Sequence, residues 1–336
     1  MTSAFAAGLA AHRAGDFETA ERSYLQNPSS VNANHNLAVL YADYGYRDRA
    51  EQVFRRLLQH RPDDARARQH LALLLLAERR YDQAWAEHEA VRLVMSPLHL
   101  EPIASCPKWS GEALAGKRLV VCAEQGAGDQ MMWGRYLGEL RARGAEVIVA
   151  CDPRSVARLF EASDFVTWPF LRGREQLPPA DFWIMMGSLP AQLGGPPRPP
   201  TWLAALGGSG GQGVGVMPRG NPEYIHDASR SPPEDMVQRL LRLGRDLRPE
   251  ASGARDFLET AEIIADLDLV ITVDTAVAHL AGSMGKPVCV LLPRLGMDWR
   301  WNDGVTSDWY PAARLLRQQR AGDWGSLLDQ LERERN

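Results

Sequence analysis

The chain contains 336 residues, of which 45% are hydrophobic and 24% charged, and this composition is typical of a folded globular protein and excludes a disordered one. The length is sufficient for about two or three domains, each with its own hydrophobic core. The net charge of −4 excludes a strongly basic nucleic-acid-binding chain, and the four cysteines, none of them in a CxxC pair, argue against a zinc or redox site.

The N-terminal residues do not resemble a secretory signal, because residues 1–17 lack both a basic start and a continuous apolar core. The longest aliphatic run, Leu71–Ala77, is far shorter than a membrane span. The cysteines are expected to be buried and reduced, as in cytosolic proteins. We therefore predict a cytoplasmic protein with no membrane span and no nucleic-acid partner.

The first part of the chain contains an internal repeat with a period of 34 residues. Leu37 aligns with Leu71, and Ala50 aligns with Ala84, when the two copies are superimposed. Small side chains at such positions let paired helices approach closely, while large ones fill the space between them. This pattern resembles the tetratricopeptide repeat, and a shortened copy precedes it. The sequence therefore predicts three helical repeats over residues 1–95.

Three such repeats are expected to form a short superhelix with a concave face, which the first helix of each repeat lines. We expect this groove to bind a protein or peptide, either as the acceptor of a reaction or as a partner. A second interpretation stays open, in which so short an array only supports the next domain. The residues expected to line the groove are His35, Asn36, Val39, Asp43, Gln69, His70 and Leu73.

A linker and a first α/β lobe follow the repeats. Residues 96–116 are rich in proline and glycine and show no sustained periodicity, which predicts a linker. Residues 117–206 alternate short apolar runs with amphipathic segments, which predicts a parallel sheet with helices on its faces. The predicted strands are Arg118–Cys122, Glu146–Cys151, Phe165–Trp168 and Asp181–Met186.

The turn after the first predicted strand is rich in glycine and carries two carboxylates. Gly126 and Gly128 either make only a tight strand-to-helix turn or bring the backbone close to a ligand. Asp129 is a preferred type of helix cap, and Glu124 lies in the same turn.

A second α/β lobe is predicted over residues 207–336, because a proline-rich and then a glycine-rich stretch mark a boundary between lobes. Its first strand, Gly213–Met217, leads into a turn that contains Arg230, which spacing alone predicts to be a solvated surface arginine. No strand is expected between Arg245 and Asp256, so the second sheet is predicted to be one strand short.

The best functional candidate is the turn that begins at Asp274. Leu269–Val273 and Val288–Leu292 are predicted to be buried strands, and Asp274 and Thr275 are residue types that cap helices. In a parallel strand–helix–strand unit, the amide groups at the start of the helix lie at the carboxyl end of the strand, where phosphates bind. The unit either binds a phosphate here or is a purely structural part of the fold.

Three motifs occur in the order found in one group of enzymes: EQGxGD at 124–129, GNPx…DxxRS at 220–231, and VDTxVAHLAG at 273–282. Together they resemble the GT-B glycosyltransferases of the heptosyltransferase family and of the bacterial O-GlcNAc-transferase-like group, and the resemblance covers nearly the whole chain. It implies an α + α/β protein in which a tetratricopeptide α-solenoid precedes a compact GT-B fold of two Rossmann-like lobes.

The resemblance implies metal-independent transfer of a sugar from a nucleotide-diphosphate sugar to an acceptor, and the repeats favour a protein acceptor. No cofactor and no metal are expected, because an arginine and backbone amides would stabilise the charge on the leaving diphosphate. The resemblance implies catalytic roles for two residues. Asp129 would be the base that takes the proton of the acceptor hydroxyl, with Glu124 as its substitute, and Arg230 would clamp the donor phosphates. The residues that the resemblance assigns to the donor are Asn221, Asp227, Ser231, Asp274, Thr275, Ala276 and His279, and those it assigns to the acceptor side are Glu124, Gln125 and Gly128.

An alternative function remains open, in which the chain is a catalytically inactive scaffold that keeps the fold and binds partners through its repeats. Two departures from the resemblance favour it. Ile225 and His226 stand where many relatives carry Lys-Asn, which removes a cation, and the predicted loss of a strand shortens the second sheet. The retained Asp129, Arg230 and Asp274–His279 favour the enzyme.

Overall fold

The computed structural model describes the backbone of residues 3–95, 104–152, 154–171, 176–208, 211–223, 227–296, 298–301 and 304–335. The chain forms two compact units. The helical unit contains residues 1–95, 293–302 and 317–330, and the sheet unit contains residues 96–292, 303–316 and 331–336. Ile225 and His226, which stand where many relatives carry Lys-Asn, lie outside the described residues.

Over residues 3–95 the chain forms three helical hairpins, each a pair of helices joined by a short turn. The hydroxyl of Ser30 and the carboxylate of Asp64 cap the first helices of the second and third hairpins, accepting amide hydrogen bonds at 3.3 and 3.0 Å. Ala50 and Ala84, the predicted small positions, are fully buried. The N-terminal region is therefore helical, whereas its assignment to the tetratricopeptide class stays a prediction. The helices are α1 (Ser3–Ala14), α2 (Phe17–Leu25), α3 (Val31–Asp43), α4 (Arg47–His60), α5 (Ala65–Ala77) and α6 (Tyr81–Met95).

Two C-terminal segments complete the helical unit. Arg294 donates from Nη1 to the backbone carbonyl of Asp43 at 3.0 Å, and the amide of Gly296 donates to the Asp43 carboxylate at 3.4 Å. The ring of Trp299 meets the ring of Trp85 edge to face, with 6.2 Å between the centroids. Asp43 therefore holds a segment of the protein's own chain rather than lining an open groove.

His35 lies in the interior of the helical unit and does not line a groove. The residue is only 4% exposed, and its ring centroid lies 4.6 Å from that of His70 and 5.9 Å from that of Phe54. Burial, together with the nearby His70 and Arg66, lowers the pKa of His35 to about 4. His35 is therefore neutral at physiological pH and contributes to packing between helices.

The first lobe of the sheet unit is a parallel sheet with strand order β3-β2-β1-β4. Its strands are β1 (Arg118–Cys122), β2 (Glu146–Cys151), β3 (Val166–Pro169) and β4 (Phe182–Met185). The strands β1 and β2 match the prediction residue for residue, because each is an apolar run that is buried beyond its first residue. The lobe also contains α7 (Ala127–Trp133), α8 (Leu137–Ala142), α9 (Ala157–Glu161) and α10 (Leu189–Leu193), and 3₁₀ turns at Gly134–Tyr136, Met186–Ser188 and Thr201–Leu206.

The second lobe contains a sheet with strand order β6-β5-β7-β8-β9. Its strands are β5 (Val214–Met217), β6 (Arg245–Asp246), β7 (Leu269–Val273), β8 (Val288–Leu292) and β9 (Ala313–Arg317). Its helices are α11 (Asp227–Arg230), α12 (Glu234–Leu241), α13 (Pro249–Ser252), α14 (Phe257–Ala265) and α15 (Ala276–Ser283), and α16 (Trp324–Arg335) ends the described chain. Across the described part of the protein, every helix is too short or too polar to cross a lipid bilayer.

The strand β6 corrects the prediction that the second sheet lacks a strand in this region. Arg245 and Asp246 pair in parallel with Gly215 and Val216 of β5. Two polar residues are too few to show the alternation of a strand in the sequence. Only the pairing with β5 reveals this strand, and the argument that the sheet is shortened no longer holds.

Candidate functional site

Each sheet has a point at which the strand order reverses, and both points lie next to predicted site residues. In the first sheet β1 is flanked by β2 and β4, and in the second β5 is flanked by β6 and β7. The strand order therefore reverses between β1 and β4 and between β5 and β7. In open parallel sheets, ligands bind outside the carboxyl ends of the strands at such points.

Glu124, which follows β1, bridges the first reversal point. Its Oε1 atom accepts a hydrogen bond from the amide of Gly187, just beyond β4, at 2.7 Å. Glu124 is only 6% exposed, and a Cβ atom on Gly187 would lie 2.5 Å from Oε1. Glu124 therefore ties the two strand ends together, in a buried position beneath the predicted acceptor side.

The turn that follows Glu124 is strained and is held by Asp129. Gln125 has a φ of +62°, a left-handed conformation that costs a non-glycine residue about 1–3 kcal/mol. The Asp129 carboxylate accepts a hydrogen bond from the amide of Gly126 at 3.1 Å and so caps the start of α7. Gln125 is exposed and Asp129 is half-buried. The structure thus gives Asp129 a capping role, while its role as a proton acceptor stays a prediction.

Arg230 bridges the second reversal point. Its Nη1 atom donates to the backbone carbonyl of Asp274, which follows β7, at 2.7 Å, and its Nε atom donates to Oδ1 of Asp227 at 3.0 Å. The side chain is 19% exposed. Arg230 therefore lies between the loops that follow β5 and β7, at the edge of the sheet where the sequence predicts a phosphate clamp.

The loop after β5 holds Arg230 in this position. The Ser231 hydroxyl donates to the Asp227 carboxylate at 2.9 Å and accepts from the amide of Gly220 at 3.0 Å. A Cβ atom on Gly220 would lie 2.0 Å from Oδ1 of Asp227 and 2.6 Å from Nη2 of Arg230, so any larger residue would displace these two side chains. Asn221 is exposed, and its side chain accepts from the amide two residues later at 3.0 Å. Asp227 and Ser231 are thus brought together beside the guanidinium, whereas Asn221 bonds within its own turn.

Helix α15 begins directly beside Arg230. Thr275 is its N-cap, and the Thr275 hydroxyl accepts a hydrogen bond from the amide of Val277 at 3.2 Å. Asp274 and Ala276 are half-buried on either side of it. The positive end of the helix dipole and the Arg230 guanidinium therefore lie at the same loop, an arrangement that favours a bound anion.

His279 is buried where the two lobes meet. Its Nδ1 atom lies 2.9 Å from the hydroxyl oxygen of Tyr310, within hydrogen-bond distance. A Cβ atom on Gly128 would lie 2.7 Å from Cδ2 of His279 and 3.3 Å from Cα of Ala276. Gly128 therefore lets α7 of the first lobe contact α15 of the second. The sequence assigned Gly128 to the acceptor and His279 to the donor, whereas the structure brings the two together.

Sequence reasoning missed Arg135, which lies at the same contact between lobes. The residue is 5% exposed and donates hydrogen bonds to three backbone carbonyls. Arginine is rarely so buried unless it is well paired. Arg135 follows the EQGxGD motif in the chain, but nothing in that pattern shows which groups it binds.

The two reversal points differ in the chemical groups that their loops present. The loop after β1 presents carboxylates, which accept protons, and the loops after β5 and β7 present a guanidinium beside a helix N-terminus, which attracts phosphate. No group of three or more His, Cys, Asp or Glu side chains within the described ranges is arranged to hold a metal ion. The arrangement supports anion binding in the second lobe and acid–base chemistry in the first.

Comparison with known proteins finds a family match on the second lobe. Residues 231–292 match the model of glycosyltransferase family 9 (heptosyltransferase). This range begins immediately after Arg230 and contains β6, β7, α15 and β8. The match therefore places the sequence pattern of this glycosyltransferase family on part of the second lobe.

Two individual proteins are also similar to the chain. Protein FlbA of Caulobacter vibrioides is 24% identical over 322 residues, a range that covers 75% of this chain and 52% of that protein. The chain therefore spans about half the length of this curated relative. Among solved structures, a mutant of the O-GlcNAc transferase of Thermobaculum terrenum aligns with 88% of this chain and 82% of its own, at 16% identity and a TM-score of 0.26.

Proposed function

We propose that the chain is a GT-B glycosyltransferase that moves a sugar from a nucleotide-diphosphate sugar to a protein acceptor. The observation that supports this most directly is the position of Arg230. Its guanidinium joins the loops after β5 and β7 at the start of α15, and the family match begins at the next residue. Two parallel sheets, each with predicted site residues at its reversal point, agree with a fold of two Rossmann-like lobes.

The donor diphosphate is proposed to bind at the start of α15. The amides of Thr275 and Ala276 donate to phosphate oxygens, and Arg230 pairs with the remaining charge through its planar guanidinium. Asp227 and Ser231 orient the arginine, while Asn221 and Asp274 border the bound phosphates. These groups stabilise the charge that develops on the leaving nucleoside diphosphate, which is the task a divalent metal performs in other transferases.

Asp129 is proposed as the general base that takes the proton of the acceptor hydroxyl. A hydroxyl group that attacks the anomeric carbon must lose its proton in the transition state. The carboxylate accepts a hydrogen bond from the amide of Gly126, and an ionised carboxylate has about four acceptor positions. Gln125 and Gly128 border the acceptor, and Glu124 supports the turn from within.

The helical hairpins are proposed to be tetratricopeptide repeats that bind the protein acceptor or a partner protein. His35 is interior and Asp43 is bound to a C-terminal segment, so neither contributes to the proposed groove. The remaining groove residues are half-buried and of mixed polarity, which suits an extended peptide: Asn36, Val39, Gln69, His70 and Leu73.

A second candidate function, a non-catalytic scaffold, is favoured by the bonds that the predicted reactive groups make within the protein. The Asp129 carboxylate caps α7, and His279 is bonded to Tyr310. The strand β6 argues against the scaffold, because the loss of a strand was one of the two departures that favoured it. Donor binding distinguishes the two functions.

Calorimetric titration with UDP-, GDP-, ADP- and CMP-sugars tests the proposal. We expect one donor class to bind the wild-type protein. Arg230→Ala should weaken binding by roughly 10–100-fold, because a charge-assisted hydrogen bond contributes about 1.5–3 kcal/mol. Arg230→Lys keeps the charge but not the planar fork, so its affinity should be intermediate.

Arg239→Ala is the matched control for these variants. Arg239 is 21% exposed, close to the 19% of Arg230, and its ion pair with Glu332 belongs to another part of the second lobe. Its loss should leave donor affinity unchanged. A wild-type protein that binds none of the four donor classes would refute the transferase and support the scaffold.

A further inference from the structure

We infer that Arg135 and Tyr310 form a clasp between the lobes that positions helix α15 against the acceptor-side turn. We call Arg135, Trp309, Tyr310 and His279 the interlobe clasp. The inference rests on the proposed function only where α15 is the donor-binding helix, since the contacts themselves do not depend on any ligand. Arg135 acts through its neighbours and is therefore a positioning residue.

Arg135 belongs to the first lobe but binds the second. Its Nη1 atom donates to the carbonyl of Trp309 at 2.9 Å and to the carbonyl of Arg198, in the connection between the lobes, at 3.1 Å. Its Nε atom donates to the carbonyl of Met132, near the end of α7, at 2.8 Å. The residue is 5% exposed, and burying a charge is unfavourable unless acceptors surround it. The three carbonyls therefore define where the first lobe meets the second.

Aromatic contacts reinforce the same junction. The Arg135 guanidinium lies 4.9 Å from the ring centroid of Trp309 and 4.9 Å from that of Tyr310, as in a cation–π contact. Trp309 also meets Trp133 of α7 edge to face at 5.8 Å. Trp309 and Tyr310 are 2% and 0% exposed. Because little solvent screens the cation–π contacts, the electrostatic attraction between Arg135 and the two rings is strong.

Tyr310 extends this contact to α15. Its hydroxyl oxygen lies 2.9 Å from Nδ1 of His279, and a Cβ atom on Gly282 would lie 2.3 Å from its ring. Tyr310 therefore packs against α15 over about one helical turn. His279 in turn contacts Gly128 of α7. The contacts form a closed ring from α7 through Arg135 and Tyr310 to α15 and back to α7.

This ring sets the position of the first turn of α15 relative to Asp129. Gly128 directly precedes Asp129, and Ala276 at the start of α15 lies against Gly128. A shift of α15 must therefore also move Tyr310 and Arg135. Catalytic groups have to be held within about half an ångström of their working positions. We assign the interlobe clasp the role of holding the first turn of α15 and the turn at Asp129 in fixed relative positions before a donor binds.

Hydrogen–deuterium exchange of the ligand-free full chain tests the clasp without reference to activity. Tyr310→Phe removes the hydroxyl and keeps the ring, and it should speed amide exchange in α15 by roughly tenfold, because His279 then loses a buried hydrogen-bond partner. Arg135→Ala should speed exchange in both α7 and α15. Arg239→Ala, away from the junction, should leave exchange in both helices unchanged.

Steady-state kinetics provide the second measurement, with the donor class found by titration. Tyr310→Phe and Arg135→Lys should each lower kcat by roughly tenfold and change KM for the donor by less than about threefold, because the phosphate contacts persist while the register is lost. Arg135→Lys keeps the charge but cannot reach three carbonyls in one plane. A purely structural role would lower the folded fraction without this split between kcat and KM.

The exchange and kinetic measurements can each contradict a different part of the inference. Unchanged exchange in α15 for both Tyr310→Phe and Arg135→Ala would overturn the clasp, whether or not a donor binds. Faster exchange with an unchanged kcat would overturn the positioning role. Faster exchange in a protein that binds no donor would refute the proposed function and leave the clasp as a contact that joins the lobes. If Arg135→Ala does not fold, Tyr310→Phe decides, because it preserves the packing of the ring.

Discussion

The loops at the two strand-order reversals occupy equivalent places in their sheets but present different charged groups. The loop after β1 contains the carboxylates of Glu124 and Asp129, whereas the loops after β5 and β7 are joined by the guanidinium of Arg230. The backbone geometry of a parallel sheet provides both edges. In the proposed function, the side chains then decide which edge accepts a proton and which binds phosphate.

Each of these loops depends on one glycine that leaves room for its charged group. A Cβ atom on Gly187 would lie 2.5 Å from Oε1 of Glu124, and one on Gly220 would lie 2.6 Å from Nη2 of Arg230. The first loop is also strained, since Gln125 adopts a positive φ, whereas Arg230 and Thr275 lie in regular helix and cap conformations. A substitution at Gly187 or at Gly220 should therefore disturb one of these regions without disturbing the other.

The largest effect is expected for Asp129→Asn. The amide keeps the size of the side chain but cannot accept a proton, so kcat should fall by about 10²–10⁴-fold. Donor affinity should change by less than about twofold, since the phosphate contacts of this proposal lie in the second lobe. Single-turnover kinetics and calorimetry measure the two quantities. An equal loss in both would mean that Asp129 acts only as a cap of α7.

Gly220→Ala should have the next largest effect, on the other loop. The added methyl group displaces Asp227 and Arg230, so donor affinity should fall by roughly 100-fold while folding is retained. Calorimetry measures the affinity, and circular dichroism checks the fold. Gly138→Ala is the matched control, because Gly138 is exposed and its added methyl group meets no atom within 4 Å.

Gly187→Ala should lower kcat rather than donor affinity if the two reversal points have separate roles. It displaces Glu124, so kcat should fall while donor affinity stays near that of the wild-type protein. Similar affinity losses in Gly187→Ala and Gly220→Ala would show that the two loops do not have separate roles.

Acidification should lower the free energy of unfolding through His35 in the helical unit, which is separate from the two reversal points. The folded-state pKa of His35 is about 4, below its ordinary value of 6.5, so the unfolded chain binds the proton more tightly. The stability contributed by neutral His35 is complete above pH 6.5 and is lost as pH falls from 6.5 towards 4, by about 3 kcal/mol. The free energy of unfolding at pH 7.5 and pH 4.5 measures it. His35→Gln should reduce this pH dependence, whereas His60→Gln, at an exposed position, should not.

The smallest effect is expected for Gln125→Gly. Glycine adopts the φ of +62° without strain, so the variant should be more stable by about 1 kcal/mol, measured as a higher Tm. Gln125→Ala keeps the strained backbone and should not gain this stability. A rise in Tm for both variants would mean that the side chain, rather than the backbone, is unfavourable in the first loop.

Much of the fold could be predicted from the residues alone. The strands β7 and β8 begin and end where the sequence predicts, because each is an apolar run bounded by charged residues, glycine or proline. The helices α3 and α5 begin one repeat period apart, since their N-caps Ser30 and Asp64 occupy the same place in each repeat. In contrast, β6 has only two polar residues, and its strand character depends on pairing with β5.

The candidate site was predictable as a set of turns but not as a set of contacts. Turn residues such as Gly220 and Thr275 have local signatures, because caps and tight turns are formed by neighbours in the chain. Arg135 and Trp309 are 174 residues apart, and no local pattern indicates that one binds the carbonyl of the other. The same applies to His35, which periodicity places on a helix but which only the packing of Phe54 and His70 buries.

By itself, the sequence determined most of the buried strands, the start of α15 and which turns carry charge, because these depend on residues close together in the chain. The tertiary structure alone decided that Asp43 binds a C-terminal segment, that Arg230 meets the carbonyl of Asp274, and that His279 joins Tyr310. Buried polar groups must find partners wherever the fold brings acceptors and donors together, and those partners come from distant parts of the chain.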